Sequence, residues 1–181
     1  MIQDWDFSIL NYIQEHFRCG FLDAVMPGIS FLGNASLIWI LIAVILVARK
    51  ETRRWGILLV IGLCLNGIVS SLFIKNLVAR DRPCWINQDI VLLIKSPKDY
   101  SFPSGHSFAS FVSAVILFGW NKKAGVAAFV LAFLIAFSRL YLYVHFPSDV
   151  LCGTLLGLFF GVMILIINRK LTKEKDLEVD T

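Results

Sequence analysis

The chain has 181 residues, 57% of them hydrophobic and 17% charged, with a formal charge of +4, whereas a soluble domain carries about 25% charged residues. That length fits one compact domain without a second catalytic module, and the composition makes lipid the solvent. The basic residues sit in short clusters between apolar runs rather than along one stripe, which argues against a nucleic-acid partner and reads as a topology signal.

Residues 2–17 place Ile2, Trp5, Ile9, Ile13 and Phe17 at helical spacing, with Asp4, Asp6, Asn11, Glu15 and Arg18 among the polar positions. This predicts an amphipathic helix lying in the membrane interface; a sixth, poorly apolar span is the alternative, at the cost of holding Asp4, Asp6 and Glu15 in lipid. The first residues are acidic rather than basic and then apolar, so no cleavable signal peptide is expected. Five runs free or nearly free of charge follow, at Pro27–Ala48, Trp55–Ile74, Pro103–Trp120, Ala124–Val144 and Pro147–Ile167. Each approaches the roughly 20 residues needed to cross a bilayer core, and Pro27, Pro103 and Pro147 each suit a helix start. The expected fold is therefore all-α: a polytopic membrane helix bundle of five transmembrane helices plus the N-terminal interfacial (or sixth) helix. Its divisions are an interfacial segment over residues 1–26, a membrane domain over 27–168 and a charged tail over 169–181.

The segments RKETRR (49–54), NKK (121–123) and NRKLTKEK (168–175) hold ten of the seventeen Lys and Arg residues. The positive-inside rule puts them, and the C-terminus, in the cytoplasm. The loop from Lys75 to Phe102 and the turn at 144–146 then lie outside. Cys64 and Cys152 fall within apolar runs and the four cysteines lack metal-type spacing, so all four are read as packing residues, a Cys19–Cys84 bridge being the alternative.

Ionisable residues at membrane depth are costly and mark function. Here they gather at one level: Lys75 ends the second span, His106 opens the third, Arg139 lies in the outer third of the fourth, and His145 with Asp149 opens the fifth. Singly, each has an ordinary explanation, such as a snorkelling cation or a carboxylate at a helix N-terminus. Two of only three histidines at helix starts on the same water boundary are harder to explain that way.

Three segments carry a resemblance. KNLVARDRP (75–83) has a Lys, six residues and Arg-Pro; PSGH spans 103–106; SRLYLYVHFPSD (138–149) has Ser-Arg, five residues, His, three residues and Asp. In order, spacing and membrane position they resemble the type 2 phosphatidic acid phosphatases (the PAP2 family), which share a site with vanadium-dependent haloperoxidases. Members commonly have six membrane helices, one more than the five confident runs here.

The resemblance implies that His145 is the nucleophile, that Asp149 fixes its tautomer, and that His106 protonates the leaving oxygen and later activates water. The residue types suit phosphate independently of it. Lys75, Arg82 and Arg139 offer a cationic field for an anion of two or more charges, and the Ser104 hydroxyl and Gly105 N–H at a helix start offer further donors. No carboxylate cluster offers magnesium an oxygen cage, so metal-independent turnover without a cofactor is expected. The expected substrate is a membrane lipid phosphate, best guessed as undecaprenyl diphosphate from the surplus of outer-face cations (Lys75, Arg80, Arg82, Lys95, Lys98, Arg139), with phosphatidylglycerophosphate or phosphatidic acid as runners-up. No obligate protein partner is expected. A haloperoxidase and a non-catalytic lipid-binding protein are the competing classes.

Overall fold

The computed structural model describes residues 2–179, which form helices and connecting loops with no strand among them. In chain order the helices are α1 (Ile2–Phe17), α2 (Gly20–Leu32), α3 (Leu37–Ala48), α4 (Arg53–Leu65), a π-helical stretch (Asn66–Ile74) running into the short α5 (Lys75–Val78), then α6 (Pro83–Ile86), α7 (Gly105–Trp120), α8 (Lys122–Tyr141) and α9 (Pro147–Val179).

Among the described residues three stretches are long and apolar enough to cross a membrane, Arg53–Ile86, Lys122–Tyr141 and Pro147–Lys173; a fourth is added if Gly20–Leu32 and Asn34–Ala48, bent by 52°, count as one broken span. The helix Gly105–Trp120 is apolar but only 16 residues long, about 24 Å at 1.5 Å per residue. The five charge-poor runs thus do not become five uniform spanning helices. The first run departs most: Pro27 lies inside α2 rather than at a helix start, and the run breaks at a 3₁₀ turn, Asn34–Ser36, where Ala35 and Ser36 take positive φ. At the other end, α9 continues beyond the last apolar residue through the charged segment, where Leu, Lys and Glu are all good helix formers.

The short α7 is the centre of the bundle, packed against α8, α9 and α4. Phe108, Ala109, Val112, Ala114, Ile116 and Leu117 are all buried, as a helix apolar on every side must be. Its close fit to α9 depends on glycines four residues apart: a Cβ at Gly153 would lie 2.4 Å from the Ser104 carbonyl oxygen, and one at Gly157 2.7 Å from that of Phe108. Small residues at this spacing let helix backbones meet in lipid. Outward, Val126, Val130, Phe133, Leu155, Phe159 and Val162 are exposed, an apolar surface suited to hydrocarbon.

A second, smaller core gathers at the loop end of the bundle, where Leu10 and Ile13 of α1 pack with Met26, Cys84, residues 141–144 and Phe146. The apolar face read from the α1 spacing is therefore partly spent on protein. The four cysteines are free; Cys84 and Cys152 are at least partly buried, whereas Cys19 and Cys64 are exposed, so packing describes only the first two.

Candidate active site

Four chain segments converge at this end of the bundle on one cavity of about 480 Å³, lined by Lys75, Arg82, Asp99, Gly105, His106, Arg139 and His145 among others. Local backbone explains much of the placement. After α5 the chain turns at Ala79, with φ 45°, and this left-handed residue redirects the backbone so that Arg80 and Arg82 point back into the bundle. Tyr143, with φ 58°, does the same two residues before His145. A non-glycine residue there is strained and must be held by its surroundings; the Tyr143 ring is buried and its hydroxyl donates to Asn11 Oδ1 of α1 at 2.9 Å.

His145 is 1% exposed. Arg82 Nη1 lies 3.1 Å from its Nε2, and since a guanidinium can only donate, Nε2 must be the unprotonated nitrogen in this arrangement. The proton then sits on Nδ1, which faces Asp149 Oδ2 at 3.5 Å. Burial, followed by the positive charges of Arg82, Arg139 and Lys75, pushes this loop imidazole well below the usual histidine range. A neutral ring with an unprotonated Nε2 is the form a nucleophile requires, and here Arg82 Nη1 occupies its lone pair.

Asp149 is fully buried behind that ring. Its Oδ2 accepts from the Phe146 N–H at 2.8 Å and from the Ser101 hydroxyl, and its Oδ1 accepts from Arg80 Nη1 at 2.6 Å. Arg82 is equally committed: Nη1 also donates to the Val144 carbonyl at 2.6 Å, Nε to the Asp99 carbonyl at 2.7 Å, and Nη2 to Asp99 Oδ1 at 2.8 Å. Lys75 pairs with the other Asp99 oxygen. Burial pushes the Asp99 carboxyl up, but the hydrogen bond and charge of Lys75, with those of Arg82, outweigh it and hold the group well below the usual carboxylate range.

Arg139 reaches from α8 to the Ser30 hydroxyl of α2 through Nη1, and its Nε has no partner among the described residues; Asn66 Oδ1 and Ser70 Oγ on the π-helical stretch are likewise buried and unpaired there. Asn66 and Arg139 both line the cavity. His106 Nε2 lies 3.0 Å from Asn34 Oδ1 at the break between α2 and α3.

Of the eight residues singled out from sequence, Lys75, Arg82, Gly105, His106, Arg139 and His145 line the cavity, and Asp149 lies directly behind His145. Ser104 is elsewhere. It is fully buried and caps α7, its hydroxyl accepting from the Ser107 N–H at 3.3 Å and the Ser107 hydroxyl at 3.0 Å. Sequence reasoning passed over Asp99, Asn34 and Asp6, and counted Arg80 only as one more outer-face cation.

Cations, two imidazoles and a buried carboxylate around one cavity at the end of a membrane helix bundle suit the class of membrane enzymes that handle phosphate. Comparison with known proteins gives that class its family: the chain belongs to the PAP2 superfamily, whose model matches residues 55–173. It is 35% identical over 152 residues to an undecaprenyl-diphosphatase of Sulfolobus acidocaldarius, covering 83% of this chain and 71% of that one. It is 31% identical over 169 residues to phosphatidylglycerophosphatase B of Bacillus subtilis, covering 86% and 80%. The crystal structure of a PAP2-type phosphatidylglycerolphosphate phosphatase from Bacillus subtilis superposes with a TM-score of 0.78 at 28% identity, covering 93% of this chain and 87% of that one. The protein is a membrane lipid phosphatase, a hydrolase acting on lipid phosphates.

Proposed function

We propose that the chain hydrolyses a polyprenyl diphosphate, with undecaprenyl diphosphate as the first substrate to test, through a phosphohistidine on His145. The observation that carries the mechanism is the orientation of that ring, with unprotonated Nε2 at the cationic cavity and Nδ1 turned to Asp149. Nε2 attacks the terminal phosphorus in line, the bond from phosphorus to the bridging oxygen breaks, and His106 gives that oxygen its proton. Water then attacks the phosphohistidine, His106 takes a proton from it, and inorganic phosphate leaves. Lys75, Arg82 and Arg139 hold the equatorial oxygens, where charge must be stabilised; Gly105 admits close approach of backbone N–H groups at the start of α7.

A diphosphate is favoured because Lys95 adds a fourth cation to the cavity lining, more than one phosphate requires. Similarity to the phosphatidylglycerophosphatase supports a second reading, in which a phospholipid monoester, phosphatidylglycerophosphate or phosphatidic acid, is cleaved by the same steps. In either case the charge clusters support five crossing segments, an outward-facing site and a cytoplasmic C-terminus. Purified enzyme in detergent should release phosphate fastest from undecaprenyl diphosphate in a panel with both phospholipids, and rapid quenching should trap phosphate on His145. A phospholipid ahead by tenfold would replace the substrate assignment, and turnover by a His145→Ala variant would overturn the covalent step.

A further inference from the structure

The buried carboxylate Asp149 needs a counter-charge, and the structure supplies one from outside the residues that face substrate. Arg80 Nη1 donates to Asp149 Oδ1 at 2.6 Å and to the Ser148 hydroxyl at 2.7 Å, while Nη2 donates to Asp6 Oδ2 at 2.7 Å. Asp6, on α1, is 3% exposed. Its other oxygen accepts from the Ser148 backbone N–H at 2.9 Å, in the first turn of α9, and Oδ2 also accepts from the Ser148 hydroxyl at 2.5 Å. The guanidinium lies over the Phe146 ring with 4.0 Å to its centroid, and Phe7 of α1 meets the same ring edge-on at 5.1 Å.

We propose that Arg80, oriented by Asp6, is a positioning residue for the reaction: the pair fixes the charge and the place of Asp149 behind His145, which makes α1 part of the catalytic architecture. The inference rests on the reading of His145 as nucleophile. A guanidinium fork bridging two carboxylates is set in both distance and angle. Without it, Asp149 would be a buried charge facing only a hydroxyl, one N–H and a neutral imidazole, with no counter-charge to hold it in place behind the ring. A displaced Asp149 could not accept the Nδ1 proton as squarely as the transition state requires, because positive charge develops on the ring as Nε2 bonds to phosphorus. Arg80 engages Oδ1 and so leaves Oδ2, 3.5 Å from His145 Nδ1, on the side of the ring. Asp6 lies outside both the three signatures and residues 55–173 matched by the family, so the clamp joins a segment that signature reading leaves out.

The test uses full-length protein in detergent with undecaprenyl diphosphate and phosphatidic acid as substrates and vanadate as inhibitor. Arg80→Ala is expected to lower kcat about 100-fold, the scale of an ångström-level misplacement, with KM within about twofold because the cations lining the cavity are untouched. Arg80→Lys should recover about tenfold, since a single ammonium can satisfy one carboxylate but not hold both. Asp6→Asn, which is isosteric and keeps the fold if Arg80→Ala does not, should lower kcat about tenfold, and Asp6→Asn with Arg80→Ala should be no slower than Arg80→Ala alone. A merely structural role would lower the amount of active protein and raise KM and the vanadate constant along with any loss in kcat. A folded Arg80→Ala or Asp6→Asn enzyme with wild-type kcat, or multiplicative losses in the double variant, overturns the proposal. If instead no phosphohistidine forms in the wild-type protein, the underlying mechanism is what fails, and that is read before any variant is made.

Discussion

The closest backbone approach in the site region gives a sharp test. At Gly153 an added Cβ would stand 2.4 Å from the Ser104 carbonyl oxygen and 3.2 Å from both the Ser104 carbonyl carbon and Ser107 Cβ. Ordinary contact would require about 1 Å more, and the nearest obstacle is backbone, so no side chain can rotate away. The two segments are also stitched together, since the Ser104 N–H donates to the Asp149 carbonyl at 3.1 Å. Gly153→Ala must therefore move the start of α7, which carries His106, away from the first turns of α9, which carry Asp149. Overpacking of this kind costs about 1–3 kcal/mol, and a displacement near 1 Å between reacting groups costs about 100-fold in rate. The variant should unfold several degrees earlier by intrinsic fluorescence in detergent and show kcat near one hundredth of wild type in a phosphate-release assay. Gly28→Ala is the control, because nothing lies within 4 Å of a Cβ there; it should be neutral or stabilising by up to about 1 kcal/mol. Wild-type kcat and melting temperature for Gly153→Ala would refute the claim that this contact sets the spacing of the two halves of the site.

Four further outcomes are expected. Asp149→Asn should fold and lose several hundredfold in kcat, since it keeps size but disturbs the tautomer and charge of His145; an unchanged rate would remove it from the mechanism. Asp99→Asn should tighten inhibition by vanadate about two- to fivefold, the scale of a half-exposed ion pair, because an arriving anion must take Lys75 and Arg82 Nη2 from that carboxylate; weaker inhibition would mean that Asp99 organises the cations rather than competes for them. The acid limb of kcat/KM should lie below the usual histidine value of about 6.5: protonation removes the nucleophile, and burial and positive neighbours move that protonation to lower pH, so a limb at or above 6.5 contradicts a neutral buried His145. Finally, single cysteines at Asn87 and Asn121, in a background lacking the four native ones, should label oppositely with an impermeant maleimide in intact cells, Asn87 reacting and Asn121 only after permeabilisation; the reverse places the site in the cytoplasm and shifts the substrate towards an inner-leaflet phospholipid.

Six of the residues lining the cavity, and Asp149 behind it, were legible because the chemistry concentrates costly residues in short segments: Lys75 with Arg82, Gly105 with His106, and Arg139 with His145 and Asp149 each sit within one local stretch. What escaped was long-range or geometric. Arg80 and Asp6 are 74 residues apart, and nothing in the α1 periodicity distinguishes a carboxylate facing water from one facing a guanidinium. Hydropathy also carries no direction, so a run such as Pro27–Ala48 looks the same straight or bent, although the bend is what brings Asn34 to His106. The Ser104 hydroxyl shows the same limit at one atom, since a serine before a helix suits an N-cap and a phosphate ligand equally.

The π-helical stretch from Asn66 to Ile74 imposes a constraint on chain length. A helix that closes its hydrogen bonds over five residues instead of four holds one more residue per turn than its neighbours, so the stretch behaves as an insertion accommodated without a loop. Losing a single residue there would let it relax to an α-helix with Lys75 kept near the cavity wall, whereas losing one from α4 before it would turn everything downstream by about 100°. Residue number is thus held more tightly in α4, ahead of the stretch, than within the stretch itself.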